Sequence, residues 1–392
     1  MDSTEKKGNL LVIVALVAGI LIASAVSFYI GLAMGKNETS GEVNTNIPAG
    51  ENPGEENLRG TQEEIDMNAT IKAIKHEYLD IQTIPDDKKV YYVKNGDVWA
   101  ADVSNLSKVS ETKVIDETQE IEKIAYSESL DMIAYLTSSL SDDASQQGNP
   151  LFANDTVMLY DTANQSTKKI FEVKDSKVWS MAFIDDSREV VISGTDVWIY
   201  NIDDGALEEY DIGLEGNFCP TAGIESISPT GDNIILSKAC YEGSESSIFD
   251  LQEGKTLYSF GDIHLEGDIA AGFVGNDVVL GLSRTSEDAV EFEEVFYLTD
   301  LTGAKLKEFN ELDASTDKIW FNEDGSLYIV VIDDEIQIYR VDSQTNDLID
   351  ETYKFADKEM LVEYVKDEQS WTRALSVINL GTGEEYELLK KD

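Results

Sequence analysis

The chemistry open to this chain is limited by how few reactive side chains it carries. His76 and His264 are its only histidines, and Cys219 and Cys240 its only cysteines. A histidine-built metal site would lack ligands. No GxSxG, HExxH or P-loop pattern occurs, so no nucleophile elbow, zinc helix or phosphate cradle is indicated. The acidic Gly turns at 203–205 and 323–325 miss calcium-loop spacing, because Tyr200 and Trp320 stand where the first ligand belongs. No metal and no cofactor is expected. The residues point to a protein that binds rather than an enzyme. The alternative is a hydrolase or lyase acting on polysaccharide through a carboxylate pair, which 77 acidic residues leave room to assemble.

The binding candidates form a small set. Trp371 sits in the polar run KDEQSWTR at 366–373, and Arg284 and Arg373 are two of only five arginines. Aromatic residues and arginine are favoured at binding hot spots. Asp142, Asp143, Glu287, Asp288, Glu291, Glu293 and Glu294 fall in the same kind of segment. Such a face suits a basic protein partner or weakly held cations; solvated surface is the competing reading. Trp371 has its own competing reading, packing onto neighbouring strands.

The cysteines flank the turn SPTGD at 228–232 almost symmetrically. An antiparallel hairpin through that turn sets Cys219 opposite Cys240, within reach of a disulfide. Two unpaired thiols are the alternative.

Several elements position these residues. Residues 1–9 form a short N-terminus, and 10–34 carry no charge. About 25 residues at 1.5 Å rise span roughly 37 Å, enough to cross a ~30 Å hydrocarbon core as a helix. The rival reading is a signal peptide cut after Ala23-Ser24-Ala25, but the apolar run continues well past it. Lys6 and Lys7 place the N-terminus in the cytoplasm and the rest of the chain outside. Residues 35–61 are rich in Gly, Pro, Asn and Glu and read as a flexible linker. Residues 62–78 read as a short helix, with Ile71, Ile74 and Tyr78 on one face.

From residue 79 to 392 the pattern is β-branched and aromatic runs between Gly/Asp/Asn turns. One strand recurs with a polar residue near its end. Its copies are VWAADV at Asp102, VMLYDT at Asp161, VWIYNI at Asn201, SIFDL at Asp250, FYLTDL at Asp300, IQIYRV at Arg340 and LSVINL at Asn379. Their mean spacing of about 46 residues is a propeller-blade period. Turns such as PDDKK at 85–89, IDDSR at 184–188 and SPTGD at 228–232 precede the second strand of each unit.

SISPTGDNIIL at 226–236 and WFNEDGSLYIVV at 320–331 resemble the repeats of TolB-like and dipeptidyl-peptidase-like propellers. The resemblance covers about residues 79–390. It implies an all-β propeller of about seven four-stranded blades, with six or eight left open because the terminal units are ill defined. It implies a fold and no activity.

In such a fold the four strands of a blade, a to d from the axis outward, run antiparallel. The b–c and d–a connections then share one rim, and the a–b and c–d turns share the other. The c–d turns are short, as in DDG at 203–205 and GTGE at 381–384. The insertions at 138–153, 240–246, 283–294 and 366–373 all fall between strands b and c. Function concentrates on such loops. Asp142, Asp143, Arg284, Glu287, Asp288, Trp371 and Arg373 therefore map to one rim. The net charge of −47 repels phosphate backbones and excludes nucleic acid as a partner. The expected partners are the membrane, through 10–34, and a protein.

Overall fold

The computed structural model describes residues 79–389, apart from 141–152, 175, 185, 215–220, 241–242, 263–266, 289–290, 311, 313–317, 322–325, 333–335, 357 and 368–371. The expected membrane helix 10–34, the linker 35–61 and the helix 62–78 lie outside the described residues. So do Asp142, Asp143, Cys219 and Trp371. Among the described residues no helix is long and apolar enough to cross a membrane.

Seven antiparallel sheets form the blades of a propeller. Blades 1 to 6 cover 89–115, 121–173, 180–210, 221–262, 267–309 and 318–350 in chain order. Blade 7 combines 359–387 with the strand Leu79–Thr83. Six sheets have four strands, and the sheet of blade 1 has three.

In the four-stranded blades the second and third strands are covered on both faces by neighbouring blades. They therefore read as continuous apolar runs instead of alternating ones. Val190, Val191 and Ile192 are wholly buried, and so are Ile234, Ile235 and Leu236. The outer strands show the opposite composition. Ser166–Val173, STKKIFEV, exposes its first four residues. Lysine on an edge strand discourages pairing with another chain.

Apolar side chains meet at every seam. One buried cluster joins each blade to the next, and the seventh joins Val90, Tyr92 and Ala101 of blade 1 to Val377 and Leu388 of the last stretch of chain. The ring is therefore closed. Side chains also take up the amide protons that inner strands turn toward the preceding blade. The Ser180 hydroxyl accepts from Ile224 N at 2.6 Å, Ser226 from Phe273 N at 3.2 Å, and Ser246 from Ala270 N at 2.6 Å.

The recurring polar residue of the third strand closes the outer turn. Its side chain accepts a backbone amide two or three residues ahead at Asp102, Asp161, Asn201, Asp250, Asp300 and Asn379. These are Asx turns, in which the side chain imitates a backbone acceptor. In blade 6 the acceptor is Asp342, which takes Gln344 N at 2.8 Å and Thr345 N at 3.0 Å. The alignment on Arg340 is therefore corrected by two residues. At the outer turn of blade 5, Gly303 has φ +81°, and a Cβ there would lie 2.2 Å from the Tyr258 ring of blade 4. Only glycine meets both demands.

A second correction concerns the first unit. The turn at 85–89 was expected to join an inner strand to its own second strand. It joins two blades instead. Leu79–Thr83 pairs antiparallel with Glu359–Asp367 of blade 7, from Leu79↔Tyr364 to Thr83↔Met360. Ile81 becomes part of the core between blades 6 and 7. The N-terminal strand thus fastens the last blade.

Candidate functional site

The insertions expected as loops on one rim are extensions of the b–c hairpins. In blade 5, Val278–Asp288 and Glu291–Asp300 are the two longest strands described, paired out to Asp288↔Glu291. Their neighbours stop earlier: the inner strand ends its pairing at Arg284, and the outer strand reaches only Phe296. Beyond those points the hairpin is a two-stranded arm. In blade 2, Met132–Leu140 and Ala153–Asp161 pair out to Leu140↔Ala153, beyond the outer-strand partner of Asp155. In blade 7, Glu359–Asp367 and Thr372–Asn379 pair out to Asp367↔Thr372, while the outer strand begins its pairing at Ser376. All three arms rise from the same rim, because strand direction fixes which end of a blade a b–c turn occupies.

Most of the sequence candidates belong to these arms. Glu287 and Asp288 sit in the strand tip of blade 5, and Arg373 near the start of the third strand of blade 7. Arg284 lies at the base of its arm and is engaged internally. It pairs across the hairpin with Glu294, the Nε–Oε1 distance being 2.7 Å, and the Glu294 side chain is only 8% exposed. Asp142, Asp143 and Trp371 lie outside the described residues.

Cys240 ends the second strand of blade 4 and is disulfide-bonded. The chain's other cysteine, Cys219, lies outside the described residues. The hairpin register departs from mirror symmetry about the turn. The turn already sets Ile227 opposite Ile234, two places past symmetry, and a bulge between Ile224 and Ser226 takes one place back, so Thr221 lies opposite Ala239 where symmetry would give Lys238. Glu225 is the extra residue of that bulge.

The same rim holds a cluster with no sequence signature. It lies where blade 2 meets blade 3. Glu122 and Lys123 begin the inner strand Ile121–Ser127, and Ser138 and Asp155 stand at the base of the arm. Lys177, Val178 and Trp179 form the approach to the inner strand Ser180–Ile184. The Lys123 ammonium donates to the Trp179 carbonyl and lies 5.5 Å from the centre of its ring. The Lys177 ammonium lies 5.9 Å from that ring and 3.5 Å from the Glu122 carboxylate. Asp155 is fully buried, accepting Val178 N at 2.7 Å and the Ser138 hydroxyl.

Burial shapes the titration of both central groups. It lowers the affinity of the Lys123 amine for its proton, and the nearby Lys177 charge acts in the same direction. It pushes the Asp155 carboxyl up, against the two hydrogen bonds that favour its charged form. Gly194 allows the approach its tight path, since a Cβ there would lie 2.4 Å from the Lys177 carbonyl oxygen. Lys123, Asp155 and Lys177 come from three separate stretches, and each alone looks like ordinary surface charge. Among the described residues no group of three or more His, Cys, Asp or Glu side chains is placed to hold a metal ion.

No protein-family model matches the chain, and no curated protein matches it by sequence. Solved structures do match its shape. The tricorn protease superposes with a TM-score of 0.50 at 14% identity, over 80% of this chain and 34% of its own. Porphyromonas gingivalis dipeptidyl peptidase 4 gives 0.47 at 13% identity, over 82% and 54%. An oligogalacturonate lyase from Vibrio parahaemolyticus gives 0.47 at 10% identity, over 79% and 86%. The chain spans about a third of the first of these and about half of the second. The fold is thus the seven-bladed propeller expected from the repeats.

The tricorn match corrects one expectation. The residues pointed away from an enzyme because local catalytic patterns are missing, yet the tricorn protease shares this shape. A propeller assembles a site from residues on different blades, so local patterns do not decide the question.

Proposed function

We propose that this chain is a membrane-tethered β-propeller outside the cytoplasm that holds a basic protein partner on the rim bearing its b–c arms. One observation carries the reading: the hairpins of blades 2, 5 and 7 outgrow their sheets on the same rim, while the outer turns of the other rim stay tight. Arms of this kind offer unpaired backbone and side chains at a reach that a tight turn lacks. Their sequences are acidic, with Asp142, Asp143, Glu287, Asp288, Glu291 and Glu293 among them, which favours a basic surface. The uncharged segment 10–34 supports the tether. The disulfide at Cys240 supports an oxidising compartment.

Capture from solubilised membranes tests the reading. Full-length protein, Trp371→Ala and a deletion of 286–292 are compared for the partner they retain. We expect each change to weaken capture by about 2 kcal/mol or more while the melting temperature stays near that of the parent. Undiminished capture by both folded variants would remove the rim from consideration. A large fall in melting temperature for Trp371→Ala would mean that Trp371 is packed on its blade.

A further inference from the structure

We propose that the inner edge of blade 1 is a strand-accepting surface and that residues 65–71 of this chain occupy it, pairing with Lys89–Lys94. The inference stands apart from the protein-partner reading, since it uses none of the arms.

The topology defines the surface. Asp97–Asp102 ends in the Asx turn that marks a third strand, so Lys89–Lys94 holds the second position of its blade. Among the described residues the first position is unfilled. Elsewhere the inner strands stand side by side. Ile121–Ser127 touches Ser180–Ile184, Ser180–Ile184 touches Thr221–Ile227, and Leu79–Thr83 touches Lys318–Phe321. On its other side Ile121–Ser127 meets Lys89–Lys94, a second strand.

The backbone of that edge is set for pairing. Val103 N donates to Lys88 O at 2.9 Å. Hydrogen-bonded positions alternate along an antiparallel pair, so Val90, Tyr92 and Lys94 bond to the third strand. Lys89, Tyr91 and Val93 turn their backbone groups toward the axis. Asp87 Oδ1 accepts Lys89 N at 2.9 Å. Tyr91 and Val93 meet no strand on that side among the described residues. Such an edge is a template for a further strand. The side chains agree: Tyr91 and Val93 are half-buried, whereas Val190–Ile192 and Ile234–Leu236, at the same level of other blades, are wholly buried.

The occupant is argued from sequence and reach. Residues 65–71 read Ile-Asp-Met-Asn-Ala-Thr-Ile, apolar and polar in alternation, which is the period of a strand. The inner strand of blade 7 opens alike, with Leu79-Asp80-Ile81-Gln82 matching Ile65-Asp66-Met67-Asn68. The helical spacing of Ile71, Ile74 and Tyr78 begins only where this alternation ends. Leu79–Thr83 belongs to the blade next to the unfilled position. Residues 72–78 can span up to about 25 Å when extended, more than the roughly 20 Å length of a six-residue strand. The segment therefore reaches the edge.

Disulfide trapping tests the proposal on the full-length protein in detergent. Val93→Cys is combined in turn with Asp66→Cys, Met67→Cys, Asn68→Cys, Ala69→Cys and Thr70→Cys, and peptide mapping locates the bonds. We expect Met67→Cys or Ala69→Cys to give about fivefold or more the yield of the three polar positions, since successive side chains of a strand point to opposite faces. No bond, equal bonds at neighbouring positions, or a bond joining two molecules would overturn the proposal; the last would assign the edge to a second copy. Hydrogen exchange read residue by residue gives a second measurement. The amides of Tyr91 and Val93 should exchange about tenfold faster in Asn68→Pro than in the parent, with Val190–Ile192 unchanged as the control for folding. Fast exchange of both amides in the parent would leave the edge to an outside chain and overturn the proposal.

Discussion

Asp300 accepts the Thr302 hydroxyl at 2.7 Å, Thr302 N at 2.8 Å and Ala304 N at 3.0 Å. These donors, the Thr302 side chain foremost, hold its carboxyl below the usual range. Backbone amides of Asn164 and Thr345 do the same for Asp161 and Asp342. A carboxyl whose folded pKa lies below its unfolded one stabilises the fold above the unfolded value, and that contribution is lost as pH falls through the folded value. The outer hairpins should therefore weaken together in acid. Thermal melts from about pH 5 down to pH 2 should show the parent losing stability, and Asp300→Asn, which keeps an acceptor but takes no proton, losing less. Parallel curves would mean that the charge of Asp300 is immaterial. Glu351 is a contrasting case, with 4% exposure. Burial pushes its carboxyl up, but hydrogen bonds from Lys354 at 2.7 Å and Arg340 Nε at 3.1 Å more than offset this. Glu351→Ala would remove the hydrogen bonds to Arg340 and Lys354 and leave the Arg340 guanidinium only Asp342 at 3.7 Å among its carboxylates, at an expected cost of about 2–3 kcal/mol by denaturant melt. A change under about 0.5 kcal/mol, typical of surface positions, would show that the pair is not structural.

The strand Leu79–Thr83 gives the element scale its clearest test. It buries Ile81 against Val330, Met360 and Val362, residues more than two hundred positions away. Ile81→Ala should cost about 2–4 kcal/mol, the usual loss for a buried aliphatic side chain. Denaturant melts that leave Ile81→Ala unchanged would show that the strand does not fasten blade 7. The destination of this strand was not legible in the sequence, since the turn at 85–89 has the same local chemistry as IDDSR at 184–188, which does join strands of one blade. Ring closure is a long-range demand and overrides that local pattern. The third strands were legible because each must end in a side-chain acceptor for the outer turn. Blade 6 was misaligned because Arg340 and Asp342 are both polar at the end of one strand. The arms could be read as insertions at 138–153, 283–294 and 366–373, but not as strands, because their polar residues lack strand alternation. The cluster around Lys123 left no trace, since nothing local links residues 123, 155 and 177.

At the scale of the molecule, one rim carries arms and the other carries tight Asx turns. The ring that separates them is fastened between blades 7 and 1 by Lys88 with Glu359 at 3.4 Å, Ser107 with Glu384 at 2.9 Å, and Tyr386 with Glu111 at 3.0 Å. A closed ring of seven packed seams behaves as a rigid support, so a partner should protect the arms and leave the blades as they are. Hydrogen–deuterium exchange on the full-length protein with and without its captured partner reads this directly. Slowed exchange should appear at 138–153, 283–294 and 366–373, with no change at the outer turns 203–205, 252–255, 301–305 and 381–384. Protection of those outer turns with the arms unchanged would contradict the assignment of the b–c rim as the binding face.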